Sequence, residues 1–383
     1  MGEVYLDNAA TTKLDDEVIF QITTVMKRFY GNPSSIHSFG RSSKELIENT
    51  RKLIAENLNV SASEIIFTSG GTEADNLILN SAVRDLGVKC IISSEIEHHA
   101  VLNTIKKLSE IKSIKVVNVQ LDEKGGINLD HLNYLLETSK LKTLVSLMHV
   151  NNEIGNITDI EKIGKLCQKW NSLFHSDMVQ SIGHFNLDFS KIPVDFTAAS
   201  AHKFHGPKGI GFAYIKKDRN LQPLIFGGSQ ERGKRAGTES LQNIVGMGVA
   251  LEKAEANLKS DQEYILSLKA YFITILEKNI SGIKFNGYSR DLEKSTYTIV
   301  NICLPLSEEK ALLLLFHLDL KGIACSSGSA CQSGNDKNSH VLTAFLSDDE
   351  LKKPSLRFSF SKYNTKEELD YVVRVLKNYI KEQ

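Results

Sequence analysis

From residue 64 onward, short apolar runs alternate with longer stretches whose apolar positions recur every three or four residues. Residues 64–69 (EIIFTS) read as a strand, and helical spacing follows over 73–85. Residues 89–93 (KCIIS) predict the next strand, with a helix over 100–109. Runs at 114–119, 143–150 and 172–177 continue the strands, and residues 159–170 carry helical spacing between the last two. This rhythm predicts an α/β fold: a mostly parallel sheet with helices on both faces. Residues 209–216 (GIGFAYIK) predict an antiparallel strand at the end of that sheet.

A helical stretch then runs over 241–279 with a break near residue 260, and the rhythm changes. Strands near 283–285, 297–304 and 356–360 mix with helices at 308–318 and 366–381. We read a large domain over 13–255 and a smaller α+β domain built from 1–12 together with 256–383. Internal repeats, low-complexity tracts and proline-rich linkers are absent from the sequence.

Composition narrows the class. The 383 residues are 41% hydrophobic and 24% charged, with 46 acidic and 46 basic side chains. Zero formal charge argues against direct nucleic-acid binding or a broad anionic-lipid footprint. The most apolar run, residues 311–320, is about half a membrane span and reads as a buried helix. Residues 1–7 show no secretory pattern, and five scattered cysteines predict a reducing, cytoplasmic setting rather than a disulfide scaffold.

Candidate chemistry sits in six places. TSGGTEADN at 68–76 joins a strand to a helix; its glycines, Thr72 and the helix's positive end suit an anion, or form a Gly-Gly turn capped by Thr. In SAHKFHGPKGIG at 200–211, Lys203 on a tight loop suits nucleophilic amine chemistry, with Lys208 as competitor and a basic surface loop as the plain reading. Asp177, with Gln180 three residues on, ends a strand where α/β ligands bind, although it could simply cap the next segment. His98 and His99 follow a strand, and one of them could stack on a ligand and move protons. Asn151 and Asn152 could donate to a ligand or make an Asx turn. Finally ACSSGSACQSG at 324–334 lacks any large apolar anchor, which predicts a mobile, exposed segment with a reactive thiol at Cys331. Metal binding is disfavoured there, because no C-x-x-C pair is present.

Read together, the motifs carry a resemblance. YLDNAATT (5–12), GNPSSIHSFG (31–40), TSGGTEADN, EIEHHAV (95–101), MHVNNEIG (148–155), D-x-x-Q (177–180), SAHKFHGPKGIG, GGSQERGKRAGT (227–238), SSGSAC (326–331) and LRFS (356–359) stand in one order along almost the whole chain. In that order they resemble the cysteine desulfurases of the Isc/Nif type, in the class V aminotransferase family. The resemblance implies the pyridoxal 5'-phosphate fold type I, like aspartate aminotransferase, in a homodimer. It implies Lys203 carrying the cofactor, Asp177 on its ring nitrogen and His98 stacked on the ring. Asn152 and Gln180 would contact the phenolic oxygen, and Gly71, Thr72, Ser200 and His202 the phosphate, with Thr238 arriving from the partner subunit. Asn152 and Arg357 would bind L-cysteine, Arg357 clamping its carboxylate, and Cys331 would take the sulfur as a persulfide. A sulfur-acceptor protein, for iron–sulfur assembly or tRNA thiolation, is the implied partner.

Three places depart from the family pattern. Met178 stands where a small residue is usual and is expected to narrow the pocket; Glu239-Ser240 and Ser361 are the others. Selenocysteine lyase, a thiol-independent aminotransferase and a sulfur-carrier scaffold with little activity of its own are the rival readings.

Overall fold

The computed structural model describes residues 3–327 and 339–381. Its centre is a seven-stranded sheet in the order Ile65–Thr68, Gly211–Ile215, Phe196–Ser200, Leu173–Asp177, Thr143–Ser146, Cys90–Ser93, Lys115–Asn118. All but Gly211–Ile215 run in one direction. Every strand except Lys115–Asn118 is buried throughout, which is why the strands read as continuous apolar runs rather than alternating ones. The helices bury one stripe each. Ile160–Lys169, for example, buries Ile160, Ile163, Gly164 and Cys167 at helical spacing. Its N-terminus is closed by the Asp159 carboxylate, which accepts from the Lys162 N–H at 3.0 Å.

The antiparallel strand is not at the sheet's end. Gly211–Ile215 pairs with Phe196–Ser200 on one side and Ile65–Thr68 on the other, one place in from the edge. The chain reverses within residues 201–210 and returns beside the strand it has just left, and burial of all five strand residues lets a second partner lie on the far side. Among the elements that the sequence pattern did not announce are the helices Asp16–Arg28, Ser38–Asn57 and Leu129–Thr138 and the strand Phe196–Ser200. The first two pack on Leu241–Ala256, so Val18, Ile47, Ile54, Ile244 and Met247 share one core. The helical break falls at Asn257 rather than 260.

A second core forms around Phe272, whose ring meets Phe358 and Phe360 edge-on at 5.2 and 5.6 Å. Val4 and Leu6 belong to it, because Val4–Tyr5 pairs in parallel with Ile323–Ala324. Its antiparallel sheet runs Ser326–Ser327, Ser355–Ser359, Ile299–Cys303, Lys284–Phe285. The apolar run at 311–320 is not a buried helix. Glu308–Leu320 buries Leu314 and Leu318 but leaves Leu313, Phe316 and Leu320 more than 60% exposed, since only one of its faces meets the core. No described helix is long and apolar enough to cross a membrane.

Candidate active site

The parallel strands all end at one edge, and the turns beyond them surround a cavity of about 610 Å³. Five strand ends supply it: Thr68 leads into Gly70–Glu73, Ser93 into His98, Ser146 into Met148, Val150 and Asn152, Asp177 stands at its own strand's end, and Ser200 leads into His202 and Lys203. Gly71, Thr72, His98, Asn152, Asp177, Gln180, Ser200, His202, Lys203 and Arg357, separated by as much as 286 positions, all line this one cavity. Thr238 does not; it is exposed and lies outside this cavity. Cys331 lies outside the described residues.

One end of the cavity is built for an anion. Gly70 has a φ of 154°, a conformation open to glycine and costly for other residues. Gly71 opens the helix Gly71–Asp85, and a Cβ there would fall 2.5 Å from Val179 Cγ2. No side chain caps this helix at Gly70, so its first amides face the cavity with the positive end of the helix behind them. Thr72 and Ser200 add hydroxyls. His202, its Nδ1 3.2 Å from Thr11 Oγ1, is kept neutral near pH 7: burial, then Lys203 and Lys208, push it down to about 4.

At the cavity's middle, Lys203 Nζ donates to the Ala9 carbonyl at 2.6 Å and to the Ala10 carbonyl at 2.8 Å. Burial, reinforced by Arg357, lowers this amine to about 8, while Asp177 and Asp7 oppose the shift. Lys208, the competitor, stands exposed at the rim. Gln180 Nε2 donates to the same Ala9 carbonyl at 2.9 Å. Asp177 is buried, and its Oδ1 accepts from the Val179 N–H at 2.9 Å. Burial pushes its carboxyl above the ordinary range, with His98, the Val179 N–H and Lys203 pulling the other way. His98 Nδ1 accepts from the Ala100 N–H at 3.1 Å and so caps the helix His99–Lys112; a neutral ring then carries its proton on Nε2. Asn151 proves structural, its Oδ1 accepting from the Glu153 and Ile154 N–H groups as an Asx turn, and Asn152 takes the cavity position.

At the far end, Arg357 donates from Nη1 to the Asn152 carbonyl and from Nη2 to Asp7 Oδ1, both at 2.8 Å. Cys325, next to this arginine, is a poor nucleophile: burial, then Asp7, raises its thiol to about 12. The expectation that Met178 narrows the pocket is wrong. Asp177 and Val179 line the cavity, whereas Met178 between them is fully buried in the core on the other side.

Several groups escaped the sequence reading. The carbonyls of Ala9 and Ala10, Asp7 and Arg235 lie within quoted motifs, but their roles appear only once distant segments meet. Asp75, buried in the first turns of Gly71–Asp85, lines the cavity with His175 Nε2 3.2 Å from its Oδ1, and neither oxygen has a hydrogen bond among the described residues. Glu97, also buried, accepts from the Met148 N–H and from Ser94.

These features fit pyridoxal phosphate: an uncapped helix start for phosphate, a depressed lysine for its aldehyde, and a buried carboxylate in want of a cation for its ring nitrogen. A model of the aminotransferase class-V family matches residues 4–372. Cysteine desulfurase IscS of Dictyoglomus turgidum is 41% identical over 380 residues, 99% of this chain and 94% of that protein. Among solved structures, a NifS-like protein matches with a TM-score of 0.90 and 35% identity over 100% of both chains. SspA in complex with cysteine matches with a TM-score of 0.81 and 30% identity, over 94% of this chain and 100% of its own. The chain therefore belongs to the aminotransferase class-V family and, within it, to the cysteine desulfurases.

Proposed function

We propose that the protein removes sulfur from free L-cysteine, releases L-alanine, and holds the sulfur as a persulfide on Cys331. Cysteine desulfurases of this family depend on pyridoxal 5'-phosphate, and when bound that cofactor draws electrons from the substrate's α-carbon. The observation that carries the reading is the Lys203 amine, set on two backbone carbonyls in the same cavity as buried Asp177 and Arg357.

Each side chain has a task. Lys203 would hold the cofactor's aldehyde carbon, Asp177 its ring nitrogen, and Asn152 and Gln180 its phenolic oxygen. Gly71, Thr72, Ser200 and His202 would hold the phosphate. Arg357 suits the substrate carboxylate, a planar match for its guanidinium, and SspA with bound cysteine supports that amino acid as substrate. His98, with Nδ1 taken by the Ala100 N–H, would face the ring and could move protons through Nε2. The Cys331 thiolate then attacks the substrate sulfur: an S–S bond forms, the C–S bond breaks, and its electron pair stays with carbon, which a proton converts to alanine.

We read the working unit as a homodimer. Thr238 stands outside its own cavity, and the helix Asp16–Arg28 exposes Ile19, Phe20 and Met26, a face suited to cover by a second copy. The persulfide sulfur would pass to an acceptor protein of iron–sulfur assembly or tRNA thiolation. Incubation with cysteine followed by mass spectrometry tests the core of this reading. One added sulfur on Cys331 with matching alanine is expected; full turnover in Cys331→Ser would sink it and favour an aminotransferase.

A further inference from the structure

One feature of the anion-binding end runs against its chemistry. Glu73 stands in the first turn of Gly71–Asp85 and lines the cavity at the place meant for phosphate. Its Oε2 accepts from the Ser69 N–H at 2.8 Å. A carboxylate there enjoys the helix's positive end, but it competes for that end with any bound anion. Burial alone would raise this carboxyl; the bonds from Arg235 and Ser69 outweigh it and hold it ionised.

The compensation arrives from 162 positions away. Arg235 Nε lies 2.9 Å from Glu73 Oε1, and Nη2 lies 3.3 Å from Oε2. The segment carrying Arg235 is itself fastened: Glu231 receives both Nη groups of Arg51 at 2.6 and 2.7 Å and the Phe67 N–H at 2.8 Å. Glu231 and Arg232 take φ values of 46° and 56°, unusual for non-glycine residues, so this seating is held against local strain.

We propose that Arg235 is a positioning residue of the cofactor site: by neutralising Glu73 it lets the first turn of Gly71–Asp85 accept a phosphate dianion. The inference rests on the cofactor reading above. It predicts a response confined to the phosphate charge, which a merely structural pair would not give.

The test titrates full-length apo-protein with pyridoxal 5'-phosphate and, in parallel, with pyridoxal, following absorbance. In Arg235→Gln, affinity for the phosphorylated compound is expected to fall at least tenfold while pyridoxal changes less than twofold. Adding Glu73→Gln to that variant is expected to restore phosphate affinity to within threefold of wild type. Glu73→Gln alone, which keeps the pair's packing, should bind the phosphorylated compound at least as tightly as wild type. Equal loss for both ligands, no restoration in the double variant, or weaker binding in Glu73→Gln each overturns the proposal. Wild-type protein that takes up neither compound overturns the cofactor reading itself, a separate outcome.

Discussion

Arg357 and Asp7, 350 positions apart, meet at 2.8 Å, and the same Asp7 oxygen accepts from Ser326 Oγ at 2.7 Å. With the Asn152 carbonyl on its other Nη, the guanidinium is fixed before any substrate arrives. Fixing it lowers the entropy lost when a carboxylate binds. A charge-assisted bond contributes about 1.5–3 kcal/mol, so in Asp7→Ala the KM for cysteine is expected to rise about tenfold or more, with kcat changed less. Asp7→Asn keeps an acceptor oxygen and should retain most of the affinity. Steady-state kinetics on both variants, with circular dichroism to confirm folding, decides it: an unchanged KM in Asp7→Ala would mean the pair does not set the clamp.

The Lys203 amine gives a pH prediction. Its proton leaves near pH 8, and only the neutral amine attacks an aldehyde. The rate at which apo-protein attaches pyridoxal phosphate should climb about tenfold per pH unit below that point and level off above it. The folded chain releases this proton near 8 and the unfolded chain near the ordinary 10.5, so apo-protein gains stability as pH rises between those values. Thermal melts of Lys203→Met should lack that gain. A flat attachment rate between pH 6 and 8 would contradict the depressed amine.

Glu97 works in the opposite sense. Burial, then the nearby Asp177, raises its carboxyl to about 8, against the ordinary 4.5. Below 4.5 both folded and unfolded chains hold the proton; between 4.5 and 8 only the folded chain does, so stability falls as pH rises through that window. Glu97→Gln stays neutral and keeps an acceptor for the Met148 N–H. Its melting temperature, measured from pH 5 to 8, should gain on wild type as pH increases. A constant difference across the series would show that Glu97 does not titrate there.

Where apolar runs were long and buried, as in Leu173–Asp177, the sequence announced its strands plainly. The helix Asp16–Arg28 escaped because it carries apolar side chains on its exposed face too, with Phe20 61% and Met26 64% exposed, which blurs the helical period. The site followed the same division. Ordered motifs named ten residues that one cavity gathers, since most of the motifs are a strand end with its turn, Arg357 inside Ser355–Ser359 being the exception. The bonds that hold those side chains were illegible: Asp7 with Arg357 and Glu73 with Arg235 join segments whose meeting depends on the whole fold. Nothing in local spacing announces such a pair.

Met178 shows how a one-residue alternation decides a role. Its neighbours Asp177 and Val179 line the cavity, and the side chain between them turns into the core with Phe204 and Met247. A specificity role would make Met178→Ala widen the pocket and admit bulkier substrates with stability intact. Burial predicts the reverse: truncating a core methionine costs about 2–5 kcal/mol, a clear fall in melting temperature, while the KM for cysteine in the folded enzyme stays within about twofold of wild type, under half a kcal/mol. Thermal melts and kinetics on the one variant separate the two. An unaltered melting temperature with a shifted KM would put Met178 back in the pocket; the opposite pattern would leave the cavity wall to Val179, whose exchange for alanine should then move KM without a comparable loss of stability.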